Sequence, residues 1–225
     1  MIIRWLLLLS VFWGCSSHNK PQISYQSNAA YKDYKAFTPL YIPPMSGQLV
    51  LLHPEILGNE LQITQGLDTL LPKIFYASLI QNLQNSDFEV APINTILDLS
   101  DTQQNPKISE QFFINAWYPE QKVQANPQFR FQLLIHEWYL GYGISKQSFY
   151  DFTTKQNEIN PLKAGNFGSV ISYSIWDSKN SQVVQYGVSE ASIIRPKTWE
   201  TKDFQRLALK NAEIIKAQIF RRGVQ

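Results

Sequence analysis

The strongest constraint on folding is the alternation of side chains between Phe129 and Tyr139. Apolar residues at 129, 131, 133 and 135 alternate with polar residues at 130, 132 and 136. Because successive side chains of a strand point to opposite faces, this period predicts a strand of a sheet that is covered on one face. The glycines on both sides of Tyr142 are expected to bend or bulge this strand before it continues from Ile144 to Phe152.

A second alternation predicts a β-hairpin. Within Gly168–Trp176, residues Val170, Ser172 and Ser174 alternate with Ile171, Tyr173 and Ile175. The polar loop Asp177–Ser181 then returns the chain into Gln182–Ile194. Two alternating segments joined by a short polar loop are typical of antiparallel neighbours.

Two segments carry the apolar period of a helix. Asp68–Asn85 begins with a residue suited to capping and holds Pro72 in its first turn, where the missing N–H costs little. The second segment, Thr201–Arg221, predicts a closing helix with one apolar stripe, formed by Phe204, Ala208, Ala212, Ile215 and Ile219.

Shorter signals complete the expected fold. Gln48–His53 predicts a buried first strand, and Phe88–Ala91 predicts a second strand that packs beside it through a right-handed crossover. Ser109 is expected to cap a short helix, through Trp117, that Pro119 stops. Together the elements predict an α/β domain with a mixed, largely antiparallel sheet covered on one face by two main helices.

The amino-terminal residues indicate an export signal. Arg4 precedes an apolar run from Trp5 to Trp13, and Gly14-Cys15 follows it. The run is too short to cross a bilayer, which requires about 20 residues of helix, so a cleaved signal is favoured over a permanent span. We expect a signal peptide at 1–14, a lipidated tether at 15–46, and a single α/β domain at 47–225.

Cys15 is the only cysteine of the chain. An intramolecular disulfide is therefore excluded, and so is a cysteine-based metal cluster. WGCSS at 13–17 resembles the lipobox of bacterial lipoproteins, in which the cysteine becomes the acylated amino terminus. The alternative is an incidental cysteine in a signal that another peptidase removes.

Charge and motifs disfavour several classes of function. The formal net charge is +2 and falls to +1 without Arg4, so the chain lacks the basic footprint expected for nucleic-acid binding. His136-Glu137 begins like the zinc motif HExxH, but Leu140 stands at its fifth position. Ser189, in a sequence like G-x-S-x-G, lies in an expected strand instead of at a nucleophile elbow. We expect no enzyme activity, no metal and no cofactor.

Aromatic side chains are candidate partner contacts, because such residues are enriched at interfaces. Core packing is the alternative explanation for each. The candidates are Trp117, Trp138, Tyr139, Tyr142 and Trp199.

The order of elements resembles the ABC-type transport auxiliary lipoproteins, which include the small outer-membrane lipoprotein of MCE-type lipid transport systems. Besides WGCSS, the likeness lies in LLPKIFYASLIQNLQNSDFEVAP (70–92), in FRFQLLIHEW (129–138) with SVISYSIWDSKNSQVVQYG (169–187), and in DFQRLALKNAEIIKAQI (203–219). Long connections at 98–127 and 142–167 depart from that pattern. The sequence is similar also to lipoproteins built like the TolB amino-terminal domain, the curli-secretion lipoprotein and the peptidoglycan-synthase activators.

The first resemblance implies a non-enzymatic accessory protein on the periplasmic face of the outer membrane. Its expected partners are the membrane, through acylated Cys15, and envelope transport or assembly proteins. The second resemblance implies a structural or regulatory lipoprotein that acts on a secretion pore or a cell-wall synthase.

Overall fold

The computed structural model describes residues 25–27, 39–42, 49–63, 65–84, 90–92, 102–104, 117–119, 130–145 and 162–220. These residues form two sheets and three helices. The strands are β1 (Tyr25–Ser27), β2 (Leu40–Ile42), β3 (Leu49–Leu51), β4 (Val90–Pro92), β5 (Thr102–Gln104), β6 (Trp117–Pro119), β7 (Phe131–Tyr142), β8 (Asn166–Asp177) and β9 (Gln182–Ile194). The helices are α1 (Pro54–Leu61), α2 (Leu67–Gln84) and α3 (Thr201–Phe220).

The main sheet has seven strands and is mixed. Its order is β1-β9-β8-β7-β2-β4, and β3 also pairs with β7. The long pairings β7/β8 and β8/β9 are antiparallel, whereas the pairings of β2 with β7 and β4, and of β3 with β7, are short and parallel. The predicted mixed, largely antiparallel sheet and its hairpin are therefore confirmed.

The parallel half of the sheet differs from the expected pairing. β2 and β3 lie end to end along the same edge of β7, at Phe131–Gln132 and at Trp138–Leu140. β4 pairs with β2 and not with β3, so the prediction that the strand at 88–91 packs beside the strand at 48–53 is wrong. β1 and β2 both lie within 15–46, the segment expected to be a tether, and three-residue strands carry too little periodicity to be recognised there.

A bulge at His136 changes which β7 side chains face the helices. The register with β8 shifts between Ile135 and Glu137. Phe131 and Leu133 face the main core before the shift, and Trp138 and Leu140 face it afterwards. The extra residue reverses the alternation, because each face of a strand is fixed by a period of two.

Helices cover one face of the sheet, as predicted. α2 and α3 pack against each other, and α3 packs on β9. The five residues of the predicted α3 stripe all belong to the main core cluster. The sequence predicted that the opposite face of β7 is open to solvent, but this face is covered as well. Leu134 on that face belongs to a second buried cluster with Leu52 and Ile144.

Two local elements differ from the sequence prediction. β3 is not a buried strand, because Val50 is exposed and its neighbours are only half buried. After it, His53 adopts a left-handed conformation and Pro54 starts α1, a helix that the sequence did not indicate. Proline suits this position because the first helical N–H has no partner within the helix.

β5 and β6 form a separate antiparallel pair. Trp117, expected at the end of a short helix, is in β6. The rest of that expected helix lies outside the described residues, as does most of the expected continuation to Phe152.

Candidate functional site

A half-buried carboxylate, Glu60, accepts hydrogen bonds from three side chains at one end of the main sheet. Glu60 Oε2 accepts from the Tyr142 hydroxyl at 2.7 Å and from Trp199 Nε1 at 2.6 Å. Glu60 Oε1 forms an ion pair with Arg195. A carboxylate offers about four lone-pair sites, so most of its capacity is used.

Each member of this cluster comes from the end of a different element. Glu60 is in the last turn of α1, Tyr142 ends β7, and Arg195 follows β9 directly. Trp199 lies two residues before α3. The cluster therefore joins the first helix, the central strands and the closing helix at one point.

Backbone hydrogen bonds bring these ends together. The N–H of Arg195 donates to the carbonyl of Gly165 at 3.0 Å, and the N–H of Gly143 donates to the carbonyl of Asn166 at 3.0 Å. Gly143 has a φ of 66°, which favours glycine because it lacks a Cβ. The turn at Gly143 and the start of β8 are thus fixed beside Arg195.

The electrostatics favour an ionised Glu60. Burial alone would raise the pKa of this carboxyl, but the hydrogen bonds from Tyr142, Trp199 and Arg195, with the charge of Arg195, lower the pKa overall. Burial and the bond to Glu60 raise the pKa of the Tyr142 hydroxyl. Arg195 also lies 4.8 Å from the centroid of the Tyr142 ring, in a cation–π contact.

The aromatic members of the cluster are packed into the core. Trp199 stacks on Phe204 with centroids 5.0 Å apart and contacts the edge of Phe167, also at 5.0 Å. A tryptophan is buried at low cost when its single N–H finds an acceptor. Glu60 provides that acceptor, so the cluster stabilises the fold by satisfying aromatic side chains at the end of the core.

The arrangement suits structural support better than proton transfer. A general base works best with a pKa near the working pH, whereas the pKa of Glu60 is lowered and its oxygens already accept bonds. Within the part of the chain that the structure describes, no group of three or more metal-ligating side chains comes together.

His136, the histidine of the incomplete zinc motif, is buried in β7. Its Nε2 lies 2.8 Å from Ser174 Oγ on β8. Burial lowers the pKa of His136 to about 3, so the ring is neutral at physiological pH. His136 is therefore a buried, hydrogen-bonded strand residue, and it does not face solvent.

Ser189 is fully buried in the continuing strand β9, as the sequence indicated. Its hydroxyl donates to Asn211 Oδ1 on α3 at 2.8 Å. The Asn211 amide in turn donates to the carbonyl of Leu207. The serine therefore links the sheet to the closing helix, and no strand-to-helix turn presents it as a nucleophile.

Three of the candidate aromatic contacts are buried, which favours core packing, the alternative explanation for each of them. Trp138, Tyr142 and Trp199 have exposed fractions of 0%, 1% and 8%. Their polar atoms have internal partners: Trp138 Nε1 donates to Ser169 Oγ at 2.9 Å, and the other two donate to Glu60. Tyr139 is half buried, and Trp117 is placed only by its backbone in β6.

Cys15, the expected lipidation site, lies outside the described residues. None of the described helices combines the length and apolar content needed to cross a bilayer.

No protein-family model matches the chain, and no curated protein matches its sequence. Solved structures give weak matches. A variant of the PelC dodecamer from Paraburkholderia phytofirmans is 7% identical, with a TM-score of 0.33 over 81% of this chain and 88% of that chain. A putative lipoprotein from Caulobacter crescentus is 12% identical, with a TM-score of 0.29 over 77% and 86%.

A hypothetical protein from Chlamydia trachomatis is also 12% identical, with a TM-score of 0.34 over 80% of this chain and 97% of that one. One structural neighbour is thus described as a lipoprotein. At these identities and TM-scores, no function transfers from any of these proteins to this chain.

Proposed function

We propose that this chain is a non-enzymatic, lipid-anchored accessory protein that faces the periplasm at the outer membrane. The observation that carries the proposal is the position of Cys15, directly after a short apolar run and Gly14. Acyl chains on a cysteine hold a protein to a membrane because each buried methylene contributes about 0.8 kcal/mol.

The described domain supports a role without catalysis. Three described side chains that could carry chemistry are engaged in joining elements: Glu60 holds the end of the core, His136 links β7 to β8, and Ser189 links β9 to α3. Such contacts favour a rigid body that presents a surface. A domain of this kind suits the holding of partner proteins or lipids near a membrane.

The resemblance to ABC-type transport auxiliary lipoproteins directs the finer proposal. We propose that the partners belong to an envelope transport system of the ABC/MCE lipid-transport type. The hairpin with the loop Asp177–Ser181 also resembles that of the second group of lipoproteins, so a secretion pore or a cell-wall synthase is the competing partner class.

Co-purification from detergent-solubilised membranes tests the partner class. Chemically cross-linked wild-type protein is expected to recover a permease, an ATPase or an MCE-type protein, and the Cys15→Ala variant is expected to lose this recovery. Repeated recovery of a secretion pore or a synthase instead would contradict the transport assignment. Substrate turnover that disappears in Ser189→Ala or His136→Ala would contradict the non-enzymatic assignment.

A further inference from the structure

We propose that the end of the sheet beside Ile194 and Leu162 rests on the phospholipid surface of the membrane that holds the acylated Cys15. The inference rests on the proposed lipid anchor and adds an orientation of the domain to it.

The register of β1 gives the direction of the amino-terminal chain. Tyr25 pairs with Gly187 of β9, and Ser27 pairs with Gln185. Following β1 backwards towards the amino terminus therefore means moving along β9 towards Ile194, its last residue. The chain that leads back to Cys15 leaves β1 heading for this end of the sheet.

The intervening chain is long enough to reach a membrane there. Ile194 is seven residues beyond Gly187, about 23 Å along a strand. Cys15 is ten residues before Tyr25, and ten residues span at most about 35 Å. Ten residues are therefore enough to reach past Ile194, whereas reaching the opposite end of the sheet requires the chain to reverse its direction.

Exposed apolar side chains distinguish this end from the other. Ile194 is 83% exposed and Leu162 is 70% exposed. They lie close together, because Arg195 donates through its backbone to Gly165 and through its guanidinium to the carbonyl of Leu162. Large apolar side chains held at the tip of a domain suit insertion into a lipid headgroup layer.

The charges around these two side chains are complementary to an anionic membrane. Lys163 and Lys197, both exposed, flank Leu162 and Arg195 in the sequence. The carboxylate of Glu60 is compensated by its ion pair with Arg195. Each basic residue near an anionic lipid surface strengthens binding by about fivefold.

The opposite end of the sheet provides a matched control. Lys179 lies in the turn between β8 and β9 and is exposed. The carboxylate of Asp177 accepts from Lys179 N–H at 3.0 Å and from the Asn180 amide at 2.8 Å, so this end is a polar turn. It lies about 40 Å from Ile194 along the strands.

Labelling of the purified, acylated protein tests the orientation. With the Cys15 thiol acylated, Ile194→Cys or Lys179→Cys supplies a unique thiol for an environment-sensitive fluorophore. In vesicles of phosphatidylcholine and phosphatidylglycerol, we expect spin-labelled lipid to quench the label at 194 at least about twofold more than the label at 179. Combining Ile194→Cys with Lys163→Glu and Lys197→Glu is expected to reduce that quenching in anionic vesicles.

Equal, weak quenching at both positions would overturn the orientation. If mass spectrometry of the same protein still shows an acylated Cys15, the lipid anchor would stand without the orientation. Shielding of the label at 194 from solvent that increases with protein concentration and does not require lipid would also overturn the orientation. That result would mean that a second copy of the chain covers this surface. Absence of acyl chains on Cys15 would overturn the anchor and the orientation together.

Discussion

Glu60 and Arg195 form an ion pair at the end of the main sheet although 135 positions separate them in the sequence. The pair connects α1 to the residue that follows β9. Tyr142 and Trp199 donate to the same carboxylate, so one side chain fixes the ends of four elements. We expect the stability of the domain to depend on the Glu60 carboxylate.

Glu60→Gln tests this dependence. The amide cannot accept three donors as the carboxylate does, so we expect the free energy of unfolding to fall by about 1–3 kcal/mol in urea titrations. Glu55→Gln, on the exposed start of the same helix, is the control and is expected to change stability by less than about 0.5 kcal/mol. Equal effects of the two substitutions would contradict the role of the cluster.

The same cluster predicts a pH dependence. The folded pKa of Glu60 is lowered from its usual 4.5, so its contribution is complete above pH 4.5 and is lost as the pH falls through the folded value. The difference in unfolding free energy between wild type and Glu60→Gln should shrink in acid. A difference that grows below pH 4.5 would show that the carboxyl is destabilised by burial.

The buried His136 predicts a second loss of stability in acid, which begins at a higher pH than the loss from Glu60. Burial lowers its pKa from 6.5 to about 3, so below pH 6.5 the unfolded chain binds a proton that the folded chain does not. Stability is therefore lost between pH 6.5 and 3, by about 2 kcal/mol from pH 7 to pH 5. Urea titrations at both pH values should show a smaller loss in His136→Gln, and an NMR titration of His136 near pH 6.5 would contradict the prediction.

Gly168→Ala is expected to be destabilising because a Cβ there would lie 2.6 Å from both Ile144 Cγ2 and Ile144 O. Overpacking of this kind costs about 1–3 kcal/mol. Gly165→Ala is the matched control, since nothing lies within 4 Å of its added Cβ. Thermal unfolding should separate the two variants, and equal melting temperatures would argue against the contact between Ile144 and β8.

Ser189→Ala removes the donor to Asn211 inside the core. We expect a loss of about 1–3 kcal/mol, because a buried amide oxygen is left without this partner. Ser192→Ala, exposed on the same strand, should have little effect. The double variant Ser189→Ala/Asn211→Leu should recover part of the loss, and strict additivity in a double-mutant cycle would contradict the coupling.

Local periodicity was sufficient to predict the long elements of this fold. The strands β7, β8 and β9 and the helices α2 and α3 are each at least twelve residues long, so each shows several repeats of an alternation or of an apolar stripe. β1 and β2 have three residues each, which is too short for a period to be visible, and β4, which the sequence did indicate, pairs with β2. Their pairings are decided by tertiary contacts.

The cluster around Glu60 was missed for a related reason. Its partners are 82, 135 and 139 positions away, so no spacing in the sequence connects them. In the sequence, Tyr142 and Trp199 suit either a partner contact or core packing. Their burial depends on a distant carboxylate that accepts from their polar atoms, and composition carries no signal of that carboxylate.

The lipid anchor at Cys15 is the central claim, and mass spectrometry of the native amino terminus tests it most directly. Protein isolated from membranes is expected to begin at residue 15 and to carry fatty acyl chains on that cysteine. A mature chain that begins elsewhere, or an unmodified thiol at residue 15, would contradict the account of an anchored envelope protein.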